Sequence, residues 1–354
     1  MTSNQRRWIF AAVAVAITIG VSTATLLAVD VYLHGRYERS AGFNVWGYRG
    51  VVVGKKQPDD YRVVVLGGSA AYGYGVSADE AIPAVLERLL RARTSSAHFT
   101  VVNLAYNNEG AYSFKTTLQD YGWLNYDLAF LYEGYNDLSE RSNVQVFRHD
   151  SPIFRVTGYM PIFPIIFKEK AAAMLNGGDV GALYRQTPSE TVFHASLATK
   201  AEAGVLQATA NVARSLEAQL GRISTEQIHH VDDRIASGCG APWESYCQSV
   251  ASAVDFARAA GKQVVVGTQP YLTVSTRVHD VHVSQQVALR AMLSRRFSAD
   301  PDVRYVDLGD LLNLEDPAVS FDHMHLTVSG NEKIAAALVE PVLEMAARRR
   351  QKAS

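Results

Sequence analysis

From residue 61 onward, short β-branched runs alternate with helically spaced apolar stretches. Tyr61 to Leu66 (YRVVVL) is a continuous apolar run ending in Gly67-Gly68, which predicts a buried strand. Glu80 to Arg93 places Ile82, Val85, Leu86, Leu89 and Leu90 at helical spacing. Phe99 to Leu104 (FTVVNL) predicts a second strand, Tyr112 to Leu124 a helix, and Asp127 to Tyr132 (DLAFLY) a third strand. After an interruption, the alternation resumes. Ala201 to Leu220 and Trp243 to Ala260 predict helices, Lys262 to Thr268 (KQVVVGT) a fourth strand and Val281 to Phe297 a helix. Val303 to Leu308 predicts a fifth strand and Gly330 to Arg348 a closing helix. Strands alternating with helices imply an α/β domain: a parallel sheet covered on both faces, giving three layers.

The interruption covers about 139–240 and holds Pro152, Pro161, Pro164 and the aromatic run PIFPIIFKEK. It is too long for a plain crossover and predicts a cap or lid inserted into the sheet domain. Within it, Met160 to Leu175 has the character of a lid touching a bilayer or an acyl chain, or of ordinary core packing.

The amino terminus follows a different pattern. Arg6 and Arg7 precede an uncharged run from Trp8 to Val29, closed by Asp30. About 22 residues at ~1.5 Å rise span roughly 33 Å, enough for a bilayer's hydrocarbon core. A cleaved signal usually has an apolar region of only about 7–15 residues, so an uncleaved anchor is the reading, with a cleaved signal or a core helix as alternatives. Arg6, Arg7 and the amino group favour an inside N-terminus, and Arg36 and Arg39 oppose it. The expected organisation is therefore a transmembrane anchor over 1–30, a linker or wrapping segment over 31–60, and a domain over 61–354 carrying the inserted cap. The body is expected outside the cytoplasm, periplasmic or extracellular.

Composition narrows the partners. Hydrophobic residues make up 48% and charged residues 19%, a globular balance, and the formal net charge is −1, which leaves no basic surplus for nucleic acid. The two cysteines, Cys239 and Cys247, are eight positions apart. In an oxidising compartment they can close a small disulfide loop, and two unrelated thiols are the alternative.

The polar residues beyond the predicted strands carry the candidate chemistry. Ser69 follows the first strand in GGSAAYG, and Gly110 lies beyond the second in NLAYNNEG. Gly134 and Asn136 follow the third in EGYND, and Asp322 and His325 follow the fifth in DHMHL. In a parallel sheet these strand ends share one edge, where ligands bind. A serine hydroxyl needs a base to take its proton, and His325 is a candidate. Asp322, three residues before it, can face the other ring nitrogen and fix the tautomer. Acyl transfer also needs donors for the developing oxyanion, and the N–H of Ser69, the N–H of Gly110 and the Asn136 amide are candidates.

These blocks resemble the SGNH or GDSL hydrolases over about 60–354, with the insertion unmatched. The serine block reads LGGSAAYG, the G-x-N-D block GYND at 134–137, and the D-x-x-H-L block DHMHLTVSGNEKIA at 322–335. The resemblance implies a flavodoxin-like sheet, an oxyanion hole of Ser69, Gly110 and Asn136, and a triad completed by Asp322 and His325. Two departures stand out. Gly68 replaces the aspartate before the serine, and NLAYNNEGAYS is longer than expected between Asn103 and Gly110, so that Asn107 or Asn108 can crowd the site.

Competing readings differ in what they need. Gly67, Gly68, Gly73 and Gly75 do not form G-x-G-x-x-G, which argues against a nucleotide. An α/β-hydrolase elbow follows a later strand. His323 and His325 with Asp322 make a metal-like pattern without further clustered ligands, so no metal and no cofactor is expected. His229-His230 with Asp232-Asp233, and His279 with His282, read as solvated surface, and Asp137 as a structural turn acid. The leading expectation is hydrolysis of a carboxylic ester, borne by a carbohydrate or lipid, through an acyl-Ser69 intermediate. The alternatives are an O-acyltransferase acting on envelope or secreted polysaccharide and a non-catalytic carbohydrate-binding protein.

Overall fold

The computed structural model describes residues 2–38, 42–94, 98–132, 134–138, 148–163 and 238–353. The predicted helix Ala201–Leu220, the His229–Asp233 cluster and most of the predicted cap lie outside the described residues. The chain divides into two compact units, Met1–Tyr37 with Pro161–Thr225, and Glu38–Met160 with Glu226–Ser354.

In the first unit, helix α1 (Ser3–Tyr37) has a mean hydropathy of 2.2 over its most apolar window, none of which is buried. By length and composition α1 can cross a membrane, as can a signal sequence. The helix does not end near Asp30 but runs on to Tyr37. The carboxylate of Asp30 is compensated within this unit. It accepts the backbone N–H groups of Ile162 (3.0 Å) and Phe163 (2.6 Å) and meets His34 Nε2 at 3.3 Å, one turn on.

The second unit contains a five-stranded parallel sheet. Its strands are β1 (Asp60–Gly67), β2 (His98–Asn103), β3 (Leu128–Tyr132), β4 (Gln263–Gly267) and β5 (Val303–Val306). Every residue of β3 and β4 is buried, as their unbroken apolar runs require. The strand order is β2-β1-β3-β4-β5. This is the flavodoxin-like order, in which the chain leaves β1 toward one side of the sheet and returns as β3 on the other. The crevice at that switch point lies beyond the carboxyl ends of β1 and β3.

Right-handed crossovers put α3 (Ile82–Arg93) and the closing helix, here numbered α8 (Val328–Ala353), on one face, where they pack together. The other face takes α4 (Phe114–Asp120), α6 (Glu244–Ala259) and α7 (Thr276–Phe297). Between β1 and α3 lies the single turn α2 (Ser69–Tyr72), and α5 (Pro152–Thr157) follows the third strand at a distance. Gly122 breaks the expected Tyr112–Leu124 helix, leaving α4 flanked by two short 3₁₀ turns. Helix α7 starts five residues before the expected Val281, because Ser275 caps it by accepting Val278 N–H at 3.3 Å.

Burial corrects one surface assignment. His282 is fully buried on the inner face of α7 beside Gln285 and Gln286, its Nδ1 accepting Leu272 N–H at 3.3 Å. Burial, then the neighbouring His279, push its pKa down to about 4. Part of the expected insertion is described. Residues 148–160 belong to the unit that contains the sheet, with Arg148, Phe154 and Met160 buried and Met160 N–H bonded to Val45 O at 2.9 Å. Cys239 and Cys247 form a disulfide with Cα atoms 6.1 Å apart, closing the turn into α6.

Candidate active site

The site begins where β1 ends. Gly67 pairs with Tyr132 across β1 and β3, and a Cβ on it would lie 2.2 Å from the Tyr132 carbonyl oxygen. Only glycine lets the two strands stay this close as the chain turns into α2. Ser69 opens that turn, and its carbonyl accepts the N–H groups of Gly73 and Tyr74, both at 3.0 Å. The turn is locked from behind. Asn103, at the end of β2, donates its amide to Tyr72 O at 3.1 Å. The buried Arg49, from the wrapping segment, donates to Tyr72 O, Gly73 O (2.6 Å) and Val76 O, and stacks on the Tyr72 ring.

The loop after β5 brings the second set of groups. An antiparallel bridge between Ser320 and Leu326 narrows it, and His323 adopts φ +64° within it. Asx-type bonding lets Asp322 fold this turn itself. Its Oδ1 accepts the backbone N–H groups of Met324 (3.2 Å) and His325 (2.7 Å). Its Oδ2 faces His325 Nδ1 at 2.7 Å, and His325 Nε2 lies 2.8 Å from Ser69 Oγ. With Nδ1–H given to Asp322, Nε2 is left bare to accept the serine hydroxyl. Burial alone would raise the Asp322 pKa. The bonds from the His325 ring and from the two backbone N–H groups outweigh it and hold the carboxyl below its usual range. Two rings bracket the imidazole: Tyr74 at 4.7 Å between centroids, and the exposed Phe321, stacked at 5.9 Å.

The third set comes from beyond β2 and β3. The extra residues after Asn103 form a turn in which Glu109 N–H bonds to Tyr106 O at 3.1 Å and Asn108 takes the left-handed conformation, exposed to solvent. Gly110 follows. A Cβ there would lie 2.7 Å from Asp137 Oδ1, so a larger residue would collide with that carboxylate. Asn136 donates from Nδ2 to Glu109 O at 2.9 Å, which joins the two loops. Asp137 accepts Ala111 N–H at 2.9 Å, and burial pushes its carboxyl up to about 7. The turn at 134–137 is held from below by buried amides: Gln269 accepts Tyr135 N–H at 2.9 Å and Gln285 donates to Gly134 O at 3.1 Å. Asp137 also borders a 360 Å³ pocket lined by Leu138, Pro242, Trp243, Asp280 and Ser284.

Ser69, Asp322 and His325 are therefore joined in one hydrogen-bonded chain, and Gly110 and Asn136 are joined to each other through Glu109. Arg49 and Glu109, which brace these loops, are not visible as site residues in the sequence. A buried charge has no local signature, since what buries it comes from elsewhere in the chain.

The profile of the GDSL-like lipase/acylhydrolase family matches residues 65–333. A search of curated protein sequences returned no match. Among solved structures, a GDSL-like lipase from Bacteroides thetaiotaomicron is similar at 11% identity and a TM-score of 0.42, over 82% of this chain and 92% of that one. A family 3 carbohydrate esterase from Clostridium thermocellum is similar at 12% identity and a TM-score of 0.40, over 81% and 98%. A carbohydrate acetylesterase family member from Sinorhizobium meliloti is similar at 13% identity and a TM-score of 0.37, over 80% and 98%. With a match spanning most of the chain, on a five-stranded parallel sheet, this protein belongs to the GDSL-like lipase/acylhydrolase family.

Proposed function

We propose that the protein is a serine esterase in which Ser69 is the nucleophile, His325 the general base and Asp322 the group that orients and stabilises the imidazolium. The observation that carries this reading is the chain from Ser69 Oγ to His325 Nε2 (2.8 Å) and from His325 Nδ1 to Asp322 Oδ2 (2.7 Å). Ser69 Oγ attacks the ester carbonyl while its proton passes to His325 Nε2. The carbonyl π pair moves onto oxygen, and the N–H groups of Ser69 and Gly110 and the Asn136 amide stabilise that oxyanion. Collapse expels the alcohol, which takes the proton from His325, and leaves acyl-Ser69. Water then attacks with the same base, releasing the acid and restoring the serine.

The substrate class we favour is an ester-bearing carbohydrate or lipid of the cell envelope, reached by a body held outside the cytoplasm. Helix α1 and the Cys239–Cys247 disulfide support that placement, since disulfides persist in oxidising compartments. The same features favour a second reading, an O-acyltransferase in which a sugar hydroxyl replaces water at acyl-Ser69. Incubating the full chain in detergent with p-nitrophenyl acetate, with and without a sugar acceptor, separates them. Free acetate in both arms supports the esterase, and acetylated acceptor supports the transferase. Absence of turnover in both arms supports a carbohydrate-binding protein and overturns the proposal.

A further inference from the structure

Behind the Gly110–Asn136 pair lies a buried ion pair that the reaction as written does not use. Arg148 is 3% exposed and Glu109 2%. Arg148 Nη2 contacts Glu109 Oε2 at 3.4 Å, and Glu109 Oε2 also accepts the Ser113 hydroxyl at 3.1 Å. The rest of the guanidinium is bound as well. It donates to Gly47 O (3.0 Å) and Leu104 O (2.5 Å), and lies over the rings of Tyr106 (5.4 Å) and Tyr121 (5.1 Å). Arg148 thus ties the wrapping segment and the end of β2 to the Gly110 loop.

A pair of this kind is an inefficient way to stabilise a fold. Desolvating two charges offsets most of their attraction, and apolar replacements are often neutral or better. What the pair does provide is a fixed backbone at Glu109. The carbonyl of Glu109 holds the Asn136 amide at 2.9 Å, and the next N–H in the chain is that of Gly110. Two of the three groups treated above as oxyanion donors therefore hang on one residue whose side chain is pinned by Arg148.

We propose that Glu109 and Arg148 are positioning residues that hold the Asn136 amide and the Gly110 N–H in register for the oxyanion. This rests on the reading of those two groups as oxyanion donors. Neither positioning residue touches the reacting atoms. A donor displaced by about 1 Å can cost up to ~10²-fold in rate, so the pair is worth an appreciable part of what a whole donor contributes.

The test uses the full chain in detergent and p-nitrophenyl acetate, with Glu109→Gln, Arg148→Lys, the double variant Glu109→Gln/Arg148→Met, and Asn136→Ala alone and combined with the double variant. The expected result is a fall in kcat of about 10- to 100-fold for the double variant with KM little changed. Arg148→Lys, which keeps the charge, should recover part of that loss. Once Asn136 is alanine, the double variant should cost less than in the wild-type background, because part of the pair's effect passes through the Asn136 amide. Equal costs in both backgrounds, or unchanged kcat in the folded double variant, would overturn the proposal. So would loss of fold in every variant including Arg148→Lys, since that marks the pair as structural. An unchanged kcat in Asn136→Ala alone would instead remove the oxyanion reading on which the proposal rests.

Discussion

At the amino edge of the sheet, Asp127 precedes β3 and meets Lys56 at 2.5 Å, Arg349 at 3.0 Å and the backbone N–H of Arg62 at 2.7 Å. Asp302 precedes β5 and meets Arg258 at 3.1 Å, Lys352 at 2.6 Å and the Gln263 amide at 3.1 Å. At the carboxyl edge, Asp322 meets no lysine or arginine among the described residues. Its partners are two backbone N–H groups and the ring of His325. Carboxylates at the first edge are saturated by permanent cations, which fixes strand ends and closes the domain. The carboxylate at the second edge faces an imidazole instead, the ring that takes up the serine proton in the proposed mechanism. Edges of the same sheet differ in what their acids are paired with, and that difference separates holding from chemistry.

The comparison is broken most directly at Ser69. Ser69→Ala removes one oxygen from a small turn and should lower turnover of an activated ester on the order of 10⁴–10⁶-fold, with an unchanged circular dichroism spectrum. Retention of wild-type turnover would remove the nucleophile from the account. Next comes Asp322→Asn, which presents an amide to Nδ1 and favours the wrong tautomer. Turnover should fall about 10³–10⁴-fold, a larger effect than the loss of stability that goes with removing a carboxylate of depressed pKa.

The amino edge should respond in the opposite sense. Asp127→Asn leaves Lys56 and Arg349 without their shared carboxylate and should cost about 2–3 kcal/mol in denaturant unfolding, less than a fully buried pair because both cations reach solvent. Its kcat should match wild type. A variant with normal stability and depressed kcat would erase the distinction between the edges.

The smallest effect is expected at Asp137, which sits beside the site and meets no lysine or arginine among the described residues. Its folded pKa is raised by burial to about 7, above the ordinary carboxylate value. The folded protein therefore binds the proton more tightly than the unfolded chain. The stability this group contributes is present below the ordinary carboxylate pKa and is lost as pH rises through about 7. Asp322 has the opposite sign: its depressed pKa contributes stability at neutral pH that is lost as pH falls through the depressed value. Asp137→Asn keeps an acceptor for the Ala111 N–H but cannot ionise. Unfolding free energies at pH 5 and pH 8 should differ less in the variant than in wild type, and an identical difference would mean that Asp137 titrates normally.

Much of this arrangement is readable along the chain, for reasons particular to each part. The five strands are visible because strands buried on both faces need unbroken apolar runs, and β3 and β4 have them. Ser69 and Asn136 stand out because they follow β1 and β3 closely, among small or turn-forming residues, and Asp322 and His325 because they stand three positions apart in one turn-forming block. The Asp322–His325 turn is local, so its spacing carries its geometry. The start of α7 is hidden in TRVHDV, whose polar residues mask the helical stripe, although Ser275 is a cap signal. Residues 148–160 lack a readable period in the sequence, with Pro152 among them, while their contacts in the sheet unit are with Val45 and Tyr121, far away in sequence. Glu109 and Arg148 are hidden for the same reason: a charged residue in a loop looks solvated until the chain that covers it is known.

The central claim is that Ser69 is an activated nucleophile, and covalent labelling tests it most directly. The full chain in detergent is treated with a fluorophosphonate, digested, and mapped by mass spectrometry. One stoichiometric adduct is predicted, on the peptide containing Ser69, with labelling abolished in Ser69→Ala and greatly slowed in His325→Ala. An adduct on another serine, or none in a preparation that turns over p-nitrophenyl acetate, would contradict the account.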